Sequence, residues 1–283
     1  MKRLLLPFCL LMTSMTFAQN SLNVMTYNIR LDVASDSLNN WQYRKDNLVS
    51  EVVFYEADVL GIQEALEGQM KDLQQKLPQF GSVGESRDSS KWGEYNAIFY
   101  RKDRLQMIEQ NTFWLSPHIR KKWAKGWDAA LPRIVSWAKL KDLKTKKVFY
   151  FFNTHFDHMG QEARRQSAHL LLKQIAAIAG NLPVIVTGDF NATINDEPIQ
   201  ILVNPADSLH LTDSKEVSST PHFGPGGSFN GFEQKERDDF PIDFIFVRNG
   251  VKVSKHATLS PTWKGRFASD HFAIFAKVTI GEQ

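Results

Sequence analysis

The sequence predicts an α/β layered fold in which two sheets pack face to face with helices outside. Short apolar segments alternate with helical ones along the chain, and several of those segments have hardly a polar position, so both faces of the strands must be covered. An apolar content of 42% in 283 residues supplies a sizeable core.

The chain opens with "MKRLLLPFCLLMTSMTFAQN": two basic residues, an apolar run from Leu4 to Met12, and a small residue at Ala18. Residues 1–18 read as a secretory signal peptide cleaved after Ala18, too short to span a membrane stably. Residues 19–283 are then expected to form a single domain, exported to the periplasm or the extracellular space. The only cysteine, Cys9, falls inside the leader, which excludes disulfides, a thiolate nucleophile and Cys-ligated zinc from the mature chain. No later stretch is apolar enough for a membrane span. Without Lys2 and Arg3 the formal charge of +3 falls to +1, so long-range attraction to nucleic acid is not written into the total charge.

The mature chain shows no repeat or linker. "LNVMTYNI" (22–29) reads as a strand, "WQYRKDNLVSEVVFYEA" (41–57) as an amphipathic helix, and "DVLGIQE" (58–64) as a strand again. "NAIFYR", "RIVSWAKL", "KVFYFFNTH", "VIVTGDF", "IDFIFV" and "FAIFAKVTI" are further strands. "GQEARRQSAHLLLKQIAAIAG" is a long helix closed by Gly180.

Polar residues collect where these strands end. "VIVTGDFN" ends in Asp189 and Asn191, which at i and i+2 project from the same face. The other ends supply Asn28, Gln63 and Glu64, His155, Asp243, and Ser269-Asp270-His271. One such residue is a turn residue; a convergent set of carboxylates, carboxamides and two imidazoles has the chemistry of a magnesium- or manganese-dependent hydrolase.

"MTYNIR", "GIQE", "NTHFD", "TGDFN", "IDFIFV" and "SDH" occur in an order and spacing that resembles the endonuclease/exonuclease/phosphatase superfamily, in particular its secreted bacterial branch. The resemblance covers about residues 22–280. It implies a deoxyribonuclease I-like four-layer α/β/β/α sandwich of two mixed sheets, with a phosphoester-hydrolysing site at one end. By that resemblance Glu64 is the principal metal carboxylate, with Asn28 and Asp270 beside it, for Mg2+ or Mn2+. Asp189 and Asn191 resemble the pair that orients the attacking water and holds phosphate. His271, oriented by Asp243, resembles the acid/base or phosphate-contacting histidine; His155, partnered by Glu94, is the second imidazole, and Arg133 contacts phosphate.

Two segments are candidates for choosing the substrate. "SPHIRKKWAKGWDAALPR" (116–133) sets Lys121 and its basic neighbours among Trp123 and Trp127, which suits phosphate and a stacked base or sugar. Packed tryptophans stapling a loop are the alternative. "TPHFGPGGSFNGF" (220–232) reads as a flap offering His222 and Asn230, whereas His118, His169, His210 and His256 read as surface or packing residues.

The expected substrate is a phosphate ester (nucleic acid, nucleotide, phospholipid headgroup or sugar phosphate), with a phosphodiester favoured and a sugar or inositol phosphomonoester as the alternative. The protein is expected to be a monomer. "NTHFDH" also approaches the zinc-binding stretch of metallo-β-lactamase-like hydrolases, with His155, Asp157 and His158 as ligands, but has Asn153 where that stretch begins with histidine. A binding module on the same fold is the non-enzyme alternative.

Overall fold

The computed structural model describes residues 20–234 and 239–281. The expected signal peptide and Cys9 lie outside the described residues. Two six-stranded mixed sheets face each other. The first comprises β1 (Ser21–Asn28), β2 (Val59–Ala65), β3 (Phe80–Val83), β4 (Tyr95–Arg101), β11 (Lys252–Leu259) and β12 (Ala273–Thr279), in the order β11-β12-β1-β2-β4-β3. The second comprises β5 (Leu105–Trp114), β6 (Ile134–Asp142), β7 (Val148–His155), β8 (Val184–Asp189), β9 (Thr212–Asp213) and β10 (Asp243–Arg248), in the order β5-β6-β7-β8-β10-β9.

Three apolar layers explain why the central strands lack a polar face. Val24, Val59, Phe149, Phe151, Ile185 and Ile245 fill the space between the sheets. Helices α1 (Trp41–Phe54) and α2 (Glu67–Lys76) cover the first sheet through Trp41, Leu48, Val52, Met70 and Leu73. Helices α3 (Gln161–Ala179) and α4 (Glu197–Val203) cover the second through Ala168, Leu171, Leu172, Ile175, Ile199 and Leu202. The helix expected over 41–57 stops at Phe54, since Glu56 takes a left-handed backbone angle (φ 50°) that turns the chain into β2.

One polar seam crosses the inter-sheet core just below the strand ends. Gln63 Nε2 donates to Asn153 Oδ1 (2.7 Å) and Thr26 Oγ1 (3.0 Å), and Asn153 Nδ2 donates to the carbonyls of Ile62 (2.8 Å) and Ala97 (3.0 Å). Gly61 lets the layers meet there, because a Cβ would collide with the side chains of Thr187 and Asn153. Buried polar groups paired this way fix one alignment of the sheets, as unpaired ones would be costly.

Candidate active site

Register brings the polar residues to one end of both sheets. His155 lies opposite Asp189 across the parallel β7–β8 pair, and Asp243 lies opposite Asp189 across the antiparallel β8–β10 pair. In the first sheet Asn28 pairs with Gln63, and a bulge between Ile62 and Ala65 brings out Glu64. The resulting cleft has a volume of about 450 Å3. Arg30, Glu64 and Asn191 on its wall all have left-handed backbone (φ 56°, 65° and 47°), which asparagine tolerates but which for Arg30 and Glu64 is strain held by the surroundings.

Asn28 ties the two sheets together at the floor. Its Nδ2 donates to Glu64 Oε1 (3.0 Å) and Asp189 Oδ2 (2.9 Å), and its Oδ1 accepts from the Arg30 amide (3.1 Å). The Leu31 amide donates to Glu64 Oε2 (3.1 Å). Asp189 Oδ1 accepts from the Asn191 amide (2.9 Å), the aspartate turn that lets Asn191 face the same space. Asp270 reaches the cleft from the turn before β12, with Arg30 Nε 3.7 Å from its carboxylate.

Two imidazoles flank Asp189. His155 Nε2 lies 3.6 Å and His271 Nε2 3.8 Å from Asp189 Oδ2. His271 Nδ1 donates to Asp243 Oδ2 (2.8 Å), which also accepts from Ser228 Oγ (2.6 Å). His155 Nε2 accepts from Asn191 Nδ2 (3.0 Å), whose second hydrogen goes to the Phe156 carbonyl (3.0 Å). His155 Nδ1 therefore carries the hydrogen, and it is buried without a partner.

The charges follow from these neighbours. Burial opposes a charged His271, yet Asp243, its hydrogen bond and Asp189 outweigh it and hold the imidazole well above its ordinary range. Burial, then Arg133 and Arg87, push His155 well below. Burial also drives Asp189 up to about 7, with Asp243 adding to the rise, and raises Asp270. The site thus crowds carboxylates beyond what its own cations near Asp189 offset.

Glu94, expected to partner His155, lies 3.8 Å from Nδ1, too far for a hydrogen bond, because its other oxygen is taken by Arg87 Nη2 at 2.7 Å. Arg133 sits on the cleft wall just before β6, with Nε 3.3 Å from Asp157 and Nη2 2.9 Å from His158 Nδ1. Its Nη1 and Arg87 Nε are buried without a hydrogen-bond partner, the latter 3.8 Å from the Asp88 carboxylate.

The expected substrate contacts fare differently. Trp123, Trp127 and Lys121 do not line the cleft; Leu131 and Arg133 are the parts of the 116–133 segment that do. Asp157 holds that loop by accepting from the amides of Ala130 (3.1 Å) and Leu131 (3.3 Å). With the amides of Met159 and Gly160 also on Asp157, and Asn153 spent on the seam, the zinc alternative has no ligand set. Asn230 is buried, its amide nitrogen donating to the Ser269 carbonyl (3.2 Å) and its oxygen accepting from the Phe232 amide (2.8 Å), so it shapes a turn. His222 turns away to His256, which is buried, as a packing residue would be, and paired with it at 2.9 Å.

Arg87 lines the cleft without having been singled out from the sequence, and His158, offered there only as a zinc ligand, lines it beside Arg133. Both stand in loops, where no strand end marks them. An arginine seven residues before Glu94 is the one signal that could have been followed for Arg87.

A model of the Endonuclease/Exonuclease/phosphatase family matches residues 25–271. A solved structure from Bacteroides vulgatus, described as an endonuclease/exonuclease/phosphatase, is 38% identical with a TM-score of 0.87, covering 92% of this chain and 99% of that one. A mannosyl-6-phosphatase from Bacteroides thetaiotaomicron is 35% identical with a TM-score of 0.86, covering 92% and 100%. Protein angel of Drosophila melanogaster is 22% identical over 271 residues, 85% of this chain and 73% of that protein.

Proposed function

This chain belongs to the endonuclease/exonuclease/phosphatase family and is a phosphoric ester hydrolase, and from that premise we propose that it hydrolyses the phosphomonoester of a small hydroxyl-rich compound, such as a sugar phosphate, with Mg2+ or Mn2+. The observation that carries the reading is the pair of guanidinium donors, Arg87 and Arg133, on the wall of a cleft of about 450 Å3. A monoester is a dianion with three free oxygens, which such donors suit better than the single charge of a diester. The cleft volume matches a monosaccharide phosphate, and a relative 35% identical over its whole length bears the name mannosyl-6-phosphatase.

The donor set fits a hard dication. Glu64, Asp189 and His155 present ligand atoms within 4.8 Å of one another, and the burial that raises Asp189 and Asp270 marks negative charge seeking compensation. Glu64 would hold the ion, with Asp270 on the same cleft wall and Asn28 bracing Glu64 by its amide nitrogen rather than presenting an oxygen. When bound, the ion supplies a Lewis acid for the phosphoryl group and its leaving oxygen.

The chain's own groups supply the rest. Asp189, raised to about 7, accepts a proton from the attacking water, and Asn191 fixes its orientation through the turn they share. His271, kept protonated at Nε2 by Asp243, faces the negative charge that grows on the phosphoryl oxygens. Arg133 and Arg87 hold the non-reacting oxygens.

A phosphodiester, favoured by the sequence alone, keeps one supporting feature: the Phe229 ring, 42% exposed on the cleft wall, offers a face on which a base stacks. Assaying sugar phosphates, inositol phosphates, nucleotides and diesters with magnesium, manganese, calcium or chelator separates the two. The expected result is the highest kcat/KM on a sugar monoester, lost with chelator; preference for a diester would overturn it. Export through residues 1–18 belongs to the same reading, and a mature N-terminus at Gln19 by mass spectrometry is its check.

A further inference from the structure

Residues 218–230 form a strap along β11 that ends on the catalytic pair. The Ser219 amide donates to the Val253 carbonyl (3.0 Å), the Phe223 amide to His256 (3.1 Å), and the Thr258 amide to Phe223 (2.9 Å). Ser228 then reaches Asp243, and the Phe229 ring meets His271 edge-on with centroids 5.0 Å apart. Beside this strap lies a small cavity of about 10 Å3, bounded among others by Asp213, Lys215, His222, Asp243, His256 and Thr258. Space of that size is just enough for one water molecule, and Asp243 and His256 are polar groups on its wall.

The Asp243 carboxylate beside the cavity lacks one donor. Asp243 spends Oδ2 on His271 and Ser228, while its Oδ1 is buried with no partner. A carboxylate oxygen in that position is costly, and such atoms in folded proteins are nearly always paired. The Pro225 carbonyl can only accept, so the hydrogen in its 3.1 Å contact sits on His222 Nε2. Burial lowers His222 and takes His256 down to about 3, so both rings are neutral. His222 Nδ1 is then the acceptor of the 2.9 Å contact between the rings, and His256 Nδ1 the donor. His256 Nε2 is left as an acceptor, like Asp243 Oδ1.

We propose that one water molecule in this cavity donates one hydrogen to Asp243 Oδ1 and the other to His256 Nε2, making His256 and His222 positioning residues for the carboxylate that orients His271. Held at both oxygens, the Asp243 carboxylate has one orientation instead of a range, and the imidazole inherits it. Only the effect on turnover rests on the phosphoester-hydrolase reading; the water and the tautomers do not. The competing role is a staple that pins the strap to β11 and has no say in catalysis.

A crystal structure of the whole protein at atomic resolution is expected to show an ordered water bonded to Asp243 Oδ1 and His256 Nε2. A dry cavity, or a protein donor on Oδ1, overturns the proposal. Long-range nitrogen–proton NMR is expected to find His256 protonated at Nδ1 only; protonation at Nε2 overturns it too. Both measurements use the unaltered chain, so they decide the matter even where a variant does not fold. In kinetics, His256→Phe is expected to lower kcat roughly tenfold with KM within about twofold, and His256→Gln, whose amide oxygen restores an acceptor, to recover most of it. Equal kcat for both variants and the unaltered chain, or a loss that tracks only a lower Tm, reduces the histidines to staples. A protein inactive on every phosphate ester would sink the hydrolase reading while leaving the crystallographic and NMR results to decide the water.

Discussion

His155 and His271 stand on opposite sides of Asp189, 3.6 and 3.8 Å from the same carboxylate oxygen, and are held in opposite charge states. One is surrounded by Asp243, Asp189 and Asp270; the other is buried beside Arg133 and Arg87. Residue type and burial are shared, so the neighbours assign the roles: a charged donor at His271 and a neutral, amide-held ring at His155.

The strongest way to break this comparison is to delete each ring. His271→Ala is expected to cost about 10³-fold in kcat and His155→Ala markedly less, with circular dichroism unchanged in both, since neither side chain belongs to an apolar core. Equal losses would mean that the two rings do the same work. Next comes Asp243→Asn, which removes the charge that keeps His271 protonated. NMR titration is expected to show a lower His271 pKa, accompanied by a fall in kcat of roughly 10²-fold. Glu94→Gln sharpens the contrast from the other side: at 3.8 Å from His155, Glu94 orients it weakly, so kcat should stay within about threefold while KM rises as Arg87 loses its 2.7 Å charged partner.

The smallest effect on catalysis comes from a control outside the cleft. Glu51 is buried against Tyr27, and burial lifts its carboxyl from 4.5 to about 8. Between those values the folded protein keeps a proton that the unfolded chain has released, so stability falls as pH rises through that window, by an amount on the order of 5 kcal/mol. Glu51→Gln should flatten this slope in denaturant titrations at pH 5 and 8 and leave kcat alone. An unchanged slope would show that burial alone is a poor guide here, and would weaken the same argument for Asp189.

The central strands were legible because they are apolar on both faces, as the wholly buried "VIVTGD" of β8 illustrates. Strand β5 was not, because it lies at a sheet edge with Gln106, Glu109, Gln110 and Asn111 exposed, a pattern without a core-facing run. Short elements such as α4 and β9 carry too few residues for a period to show. At the site, the residues fixed by strand register could be read from their motifs, whereas contacts made by loops could not. Nothing in the spacing of Glu94 and His155 tells that Arg87 claims the carboxylate first, or that His222 closes on a histidine 34 residues away.

The cleft draws Asn28 and Glu64 from one sheet and His155, Asp189 and Asp243 from the other, with the Gln63–Asn153 seam, the Asn28–Asp189 and Asn96–Ile134 hydrogen bonds and the apolar layer fixing one against the other. Turnover is therefore a caliper for the alignment of the two layers. A slip of about 1 Å between them, too small to disturb any strand's own ladder, costs on the order of 10²-fold in rate. Gentle heating or low denaturant should silence the enzyme while its circular dichroism still reads as folded.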